Sequence, residues 1–143
     1  MRHDVRLCED DTTCEALGSF LEERIYEFNS KVTGYVDGRL LAGCVRNETG
    51  EVIEGFNGYS GELTSVWVHE QHRGQGLGAV LLRSAEAEAA ARGCLRIVLV
   101  TQNFQAPGFY ERMGYQRTYT IEAHPRGFED VIYVKVLQGQ QRT

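Results

Sequence analysis

Residues 66–82 read Val66-Trp67-Val68-His69-Glu70-Gln71-His72-Arg73-Gly74-Gln75-Gly76-Leu77-Gly78-Ala79-Val80-Leu81-Leu82. A β-branched and aromatic run enters a turn with glycine at alternate positions, and the turn opens into a helical pattern. Glycine lets backbone approach a ligand with no Cβ in the way. The first amides of a helix have no partner within the helix and point outward. The helix dipole adds positive potential at the same place. Together these features suit an anion, a pyrophosphate in particular, with Arg73 adding charge at the rim. Taken alone, the cluster reads equally as a tight turn with close helix packing. It is not the dinucleotide fingerprint, whose glycines are spaced G-x-G-x-x-G, and no Gly-Lys-Ser or Gly-Lys-Thr follows to make a phosphate loop.

Working outward, residues 76–92 predict a helix. Leu77, Val80, Leu81, Ser84, Ala85 and Glu88 form its i, i+3, i+4 row, alanine dominates its second half, and Gly93 supplies a stop. Leu95 to Thr101 is a strand whose near-continuous apolar centre implies burial on both faces. Strand, helix, strand at this spacing is a βαβ unit, so the strands 62–69 and 95–101 should be parallel neighbours. Upstream, 39–46 and 52–59 read as strands joined at a turn, Asn47-Glu48-Thr49-Gly50. Residues 19–31 read as a helix with Phe20, Leu21, Ile25 and Phe28 near one face. Downstream come a short helix from Ala106 to Met113, ended by Gly114, and two strands, 115–122 and 131–137. The fold class is mixed α/β, with a sheet antiparallel at both ends and parallel in the middle.

The chain has 143 residues, the size of one domain, 1–143, with a polar tail at 138–143 expected to fray. Its 15 basic and 20 acidic residues give a net charge of −5, which offers nucleic acid no general electrostatic attraction. No apolar run nears the roughly 20 residues of a membrane helix. Met1-Arg2-His3-Asp4-Val5-Arg6 lacks the apolar centre of a secretion signal, so the cytoplasm is the expected compartment. Cys8, Cys14, Cys44 and Cys94 match no zinc or redox spacing and read as reduced thiols, with Cys44 and Cys94 in the core. The histidines are not paired on a helix face, and no metal site is expected.

The stretch Arg73-Gly74-Gln75-Gly76-Leu77-Gly78 resembles the signature of the GNAT superfamily of acetyl-coenzyme A dependent N-acetyltransferases: Arg or Gln, two residues, Gly, one residue, Gly or Ala. Arg73, Gly76 and Gly78 fill it. A second pattern follows one helix and one strand later, in Asn103, Ala106, Phe109-Tyr110 and Gly114-Tyr115. The clear match runs over about residues 62–116. Phe104-Gln105-Ala106-Pro107 is similar to the run before the aromatic pair in small bacterial members. One departure is Glu70, where many relatives carry proline.

The resemblance implies a splay between the strand ending at Val68 and the strand starting at Leu95. The pantetheine arm of acetyl-CoA would lie in that opening on the backbone of Val66, Trp67 and Val68. The pyrophosphate would sit on the amides of Gly74, Gln75, Gly76, Leu77, Gly78 and Ala79. Phe109 and Asn103 would complete the donor site, Asn103 by contacting pantetheine or by fixing the strand end; as a helix cap it would do neither. The implied reaction is direct attack of a primary amine on the thioester. It needs a base, because an alkylammonium has a pKa of about 10. It also needs donors for the oxyanion and an acid for the departing thiolate.

Tyr110 matches the family's acid; read as structure it is a core tyrosine. Glu62 is the candidate base, directly or through water, with the strand parity of Thr64 and Val66; read as structure it is an exposed strand-end carboxylate. Glu54, His69 and Glu70 are its rivals. Trp67 reads as a core side chain, His69 and His72 as solvated loop residues, and Arg112 and Arg117 as surface arginines that could meet a 3′-phosphate. The first helical region reads as short, which implies an open acceptor pocket or one completed by a second subunit. The expected acceptor is a small-molecule amine. A non-catalytic acyl-CoA-binding module and acetylation of a protein or aminoacyl-tRNA amine are the alternatives. A homodimer through the last strands is compatible with the alternation at 131–136.

Overall fold

The computed structural model of the chain describes residues 4–35, 38, 40–59 and 61–137. The proposed frayed tail, the start of the chain through His3, and Arg39 lie outside the described residues. Contacts divide the chain into two compact units, Met1–Gly38 and Arg39–Thr143.

In the first unit, α1 (Asp11–Thr33) is longer than the apolar pattern predicts. Asp10 is the reason. Its carboxylate accepts from Thr13 N and from Thr13 Oγ1, both at 2.8 Å, and so starts the helix two turns before Phe20. The expectation of a short first helical region is therefore corrected to a helix of 23 residues. It ends at Gly34, which takes the left-handed conformation of a C-terminal stop. No residue of α1 is buried, Phe20, Leu21, Ile25 and Phe28 included.

The second unit holds β1 (Leu40–Arg46), β2 (Val52–Tyr59), β3 (Glu62–Val68), α2 (Leu77–Ala91), β4 (Arg96–Gln102), α3 (Pro107–Arg112), β5 (Gln116–Glu122) and β6 (Glu129–Val136). The strands form one sheet in the order β1-β2-β3-β4-β6-β5. β3 and β4 are parallel and every other neighbour is antiparallel. The β1–β2 turn is tied by Asn47, whose Oδ1 accepts from the amides of Thr49 and Glu51 at 3.0 and 2.9 Å.

The core lies on the sheet face that carries α2. Leu41, Leu63, Ile97, Leu99, Val131 and Tyr133 meet Leu82, Ala85 and Ala89 there. The buried stripe of α2 is Leu81, Leu82, Ala85 and Ala89. This corrects the sequence row: Val80 is exposed, and the stripe turns toward Leu82 because alanines let the helix approach the sheet closely. Cys94 packs against this core, half-buried. Cys44 does not. It is exposed, because β1 alternates and Leu41 is the residue that β1 buries. Burial on both faces of β4 is also incomplete, since Val100 is exposed.

Candidate active site

β3 and β4 pair only at Glu62↔Val98 and Leu63↔Leu99. Beyond Leu63 the strands separate, which is the splay that the family resemblance implies. A bulge in β3 begins the separation: Asn57 pairs with Ser65, yet Gly58 pairs with Leu63, so Thr64 is the extra residue. The bulge resets the alternation. Leu63 and Val66 both face the core, and Glu62 falls on the opposite face with Ser65 and Trp67. Glu62 therefore does not share the parity of Val66, a correction the sequence could not supply because alternation assumes an unbroken strand. Its side chain is exposed at the closed end of the splay.

The open end leads to the turn between β3 and α2. Residues Glu70–His72 form a single 3-10 turn, started by His69, whose Nδ1 accepts from Gln71 N at 3.2 Å. Arg73 then folds back, and its Nε donates to Val68 O at 3.0 Å. Gly74 and Gly76 both take positive φ, 79° and 77°, the left-handed region that costs other residues energy. Gly76 is the N-cap of α2, and no side chain caps the helix. There is no acidic residue in the first turn. Among the described residues, no carboxylate or hydroxyl is bound to the amides of Leu77, Gly78 and Ala79 that open α2. Gly78 sits close to both flanking elements: a β-carbon there would lie 3.4 Å from Phe109 Cζ and 3.7 Å from Val68 Cγ2. The turn, the end of β3 and the start of α3 thus converge, and they suit a pyrophosphate followed by an extended arm in the splay.

Tyr110 is 7% exposed. Its ring meets Phe109, Tyr115 and Tyr133 at centroid separations of 5.2, 5.8 and 5.9 Å. Burial pushes its hydroxyl pKa up, so it stays protonated, as a proton donor must. Asn103 fixes the end of β4: its N donates to Glu129 O at 2.9 Å and its Oδ1 accepts from Glu129 N at 3.2 Å. It does not cap α3, whose N-cap is Ala106. Trp67 is half-exposed rather than core, because Gly55 opposite it on β2 leaves nothing to cover the ring. It meets His69 edge to face at 5.8 Å, and His69 meets His72 likewise at 5.8 Å. Both histidines are only half-exposed. Arg117 is committed to Glu111 and to Tyr133 Oη, at 3.4 and 3.3 Å. Among the described residues, no group of three or more His, Cys, Asp or Glu side chains is placed to hold a metal ion, and no helix is long and apolar enough to cross a membrane.

Sequence reasoning missed two polar arrangements behind the site. Lys135 Nζ binds Glu86 Oε1 at 2.9 Å and Met113 O at 2.9 Å, and Tyr115 Oη donates to the same Glu86 oxygen at 3.0 Å. Burial, and after it the Glu86 carboxylate, pushes the Tyr115 pKa far up. Tyr133 Oη donates to Glu111 Oε1 at 2.8 Å. These pairs join residues 22 to 49 positions apart, which no local pattern reveals. Glu54, named from the sequence as a rival base, has a burial that the sequence did not show: it is 1% exposed, with neither carboxylate oxygen partnered among the described residues.

Comparison with known proteins agrees with this geometry. The profile of the acetyltransferase (GNAT) family matches residues 4–115. A blasticidin-S acetyltransferase of Streptomyces morookaense is 38% identical over 95 residues, 63% of this chain and 70% of that one. The crystal structure of an acetyltransferase from Bacillus cereus ATCC 14579 is similar over 92% of this chain and 98% of its own, with a TM-score of 0.73 and 28% identity. An aminoglycoside 6′-N-acetyltransferase complexed with coenzyme A shares the fold at 19% identity, with a TM-score of 0.60 over 68% of this chain and 73% of its own. The chain belongs to the GNAT family and is an N-acetyltransferase.

Proposed function

We propose that this acetyltransferase takes its acetyl group from acetyl-CoA and passes it to a primary amine of a small molecule by direct attack. One observation carries the reading. The uncapped first turn of α2, with Gly76 in the left-handed region, stands at the mouth of a gap that opens between two parallel strands. The amides of Gly76, Leu77, Gly78 and Ala79 would take the pyrophosphate, and Gly74, Gln75 and Arg73 would flank it. The backbone of Val66, Trp67 and Val68 would pair with the pantetheine arm. Phe109 and Asn103 would bound the donor at the start of α3 and the end of β4. The relative complexed with coenzyme A supports a coenzyme A thioester as donor.

In the reaction, the amine nitrogen bonds to the thioester carbonyl carbon and the carbon–sulfur bond breaks. Tyr110 gives its proton to the departing sulfur. Glu62, exposed at the closed end of the splay, takes a proton from the acceptor ammonium through water, and the free amine that results is the nucleophile. Acidic residues near the site, Glu51, Glu62 and Glu70, favour a cationic acceptor. The named relative makes blasticidin S the first acceptor to try. β5 is an edge of the sheet, and a second copy would pair there.

The test is calorimetric titration with acetyl-CoA, beside NADH, followed by thiol release with blasticidin S, aminoglycosides and polyamines. Micromolar binding of acetyl-CoA alone, and thiol release with one of these amines, are the expected results. Absence of binding at millimolar acetyl-CoA overturns the donor assignment. Binding without turnover on any small amine overturns the acceptor class.

A further inference from the structure

Glu54 is a buried ionisable residue of the sheet with no hydrogen-bond partner among the described residues. It pairs across strands with Val68, the last residue of β3. Cross-strand partners leave the sheet on the same face, and on that face Val68 approaches the first turn of α2 at Gly78. The amide next along the chain, His69 N, donates to Ile53 O at 2.8 Å, so the residue beside Glu54 anchors the start of the donor turn. Val68 O receives the Arg73 side chain. Glu54 thus lies under the turn at both of its attachments. Its burial is near-total and both oxygens lack partners among the described residues.

An ionised carboxylate held in this way is costly, and the cost is relieved by keeping the proton. Burial raises the Glu54 pKa, and the charge of His72 opposes the rise. Every neighbouring element bears on this balance. β1 brings Val45 opposite Glu54, then Arg46, whose Nη1 is committed to Gly50 O. The turn brings His69, Glu70, His72 and Arg73. The first six residues of α2 bring no charge, and β3 brings none after Glu62. Of these groups, His72 is the one whose charge acts on Glu54.

We propose that Glu54 is a proton-linked positioning residue for donor binding: its acid form supports the anion-binding turn, and its carboxylate opposes it. The inference rests on the donor reading above. A negative charge beneath amides that should face a pyrophosphate weakens their attraction for it, with little water between to screen the effect. By linkage, donor binding then raises the affinity of Glu54 for its proton, and the complex takes up a fraction of a proton as it forms. Affinity is highest at low pH and falls as pH rises through the Glu54 pKa.

Glu54→Gln copies the acid form at every pH, and two readouts separate the parts of the argument. Acetyl-CoA affinity is measured calorimetrically for both proteins between about pH 5.5 and about pH 8.5. The ratio of wild-type to variant Kd cancels the titration of the donor itself. It should rise on the order of tenfold across this range, and wild type should take up more protons than the variant in buffers of different ionisation enthalpy. Melting without donor is the second readout. The folded state holds its proton above the usual glutamate range, so wild-type stability falls relative to Glu54→Gln as pH rises from about 4.3. A Kd ratio that stays constant while both proteins bind overturns the coupling. A melting difference independent of pH overturns the retained proton. If neither protein binds at any pH, the donor reading fails and the coupling fails with it, and the melting data still report on Glu54 alone. Should Glu54→Gln not fold, His72→Gln replaces it. Proton uptake that persists without the histidine supports Glu54 as the acceptor, and its disappearance overturns that role.

Discussion

Replacing Gly76 by alanine separates a binding turn from a merely structural one. Gly76 has φ 77° and ψ 4°, and a β-carbon built there meets nothing within 4 Å. The fold penalty is therefore backbone strain alone, about 1–2 kcal/mol for an L-residue in the left-handed region. Alanine recovers about 0.4–1 kcal/mol by restricting the unfolded chain, which leaves a net loss of about 1 kcal/mol. In a chain of 143 residues that lowers Tm by about 4 °C. Gly50 provides a matched control. Its φ is 88°, a β-carbon there also meets nothing within 4 Å, and it lies in the β1–β2 turn. Both alanine variants should lose similar stability. Only Gly76→Ala should lose donor affinity if the amides of α2 take the pyrophosphate as proposed, because its new methyl enters open space at the N-cap of that helix. Loss of one hydrogen bond to a charged acceptor costs about 1.5–3 kcal/mol, or roughly tenfold to hundredfold in Kd. Calorimetry with acetyl-CoA and thermal melting measure the two effects separately. Equal Kd for Gly76→Ala and Gly50→Ala, with the stability losses as expected, would refute the reasoning and leave the turn purely structural.

Tyr110→Phe should lower kcat by about 100-fold or more and leave the Kd of acetyl-CoA within about twofold, as read by thiol release and titration; unchanged turnover removes the acid role. Glu62→Gln should abolish the acidic limb of the pH–rate profile, and a variant that keeps the wild-type limb excludes Glu62 as base. Glu86→Ala should destabilise by about 2 kcal/mol, because it strands the half-buried Lys135 ammonium and the Tyr115 hydroxyl together; a loss under about 0.5 kcal/mol in denaturant melts would mean that water replaces the carboxylate.

The parts of the fold legible in the sequence were those with local causes. The 77–91 helix, the β4 strand and the 107–112 helix carry their own periodicity and glycine stops, and their bounds move by only a residue or two. The splay was legible through the family resemblance, and the glycine-rich opening of α2 through its own residues. What escaped had non-local causes. The bulge at Thr64 depends on how β3 meets β2, and it moved Glu62 to the other face. Cys44 and Trp67 read as core by residue type, yet which strand face is covered is decided by α2, far along the chain. Glu54 was legible as a rival base and not as a buried group, because burial without partners leaves no mark on sequence.

These non-local contacts also answer a mechanical difficulty that the active site creates. A sheet joined at its middle by only Glu62↔Val98 and Leu63↔Leu99 is weak where it must stay open. Widening the gap for a pantetheine arm removes the ladder bonds that would otherwise hold the two halves together. α2 supplies the missing link. Near its middle, Glu86 holds Lys135 of β6, beyond β4. At its end, Arg92 Nη1 donates to Leu40 O of β1 at 2.7 Å, its Nε held by Glu88 at 2.8 Å. One helix thus grips the outer strand on one side of the gap and the far half of the sheet on the other, with Leu82, Ala85 and Ala89 packed between. In the donor reading proposed above, the same helix would present its N-terminus to the coenzyme. One helix therefore both bridges the gap and carries the amides proposed to bind the anion. On this account, cutting either grip should disturb donor binding as well as stability, and Arg92→Ala is the sharper test, since it touches no residue of the proposed donor site.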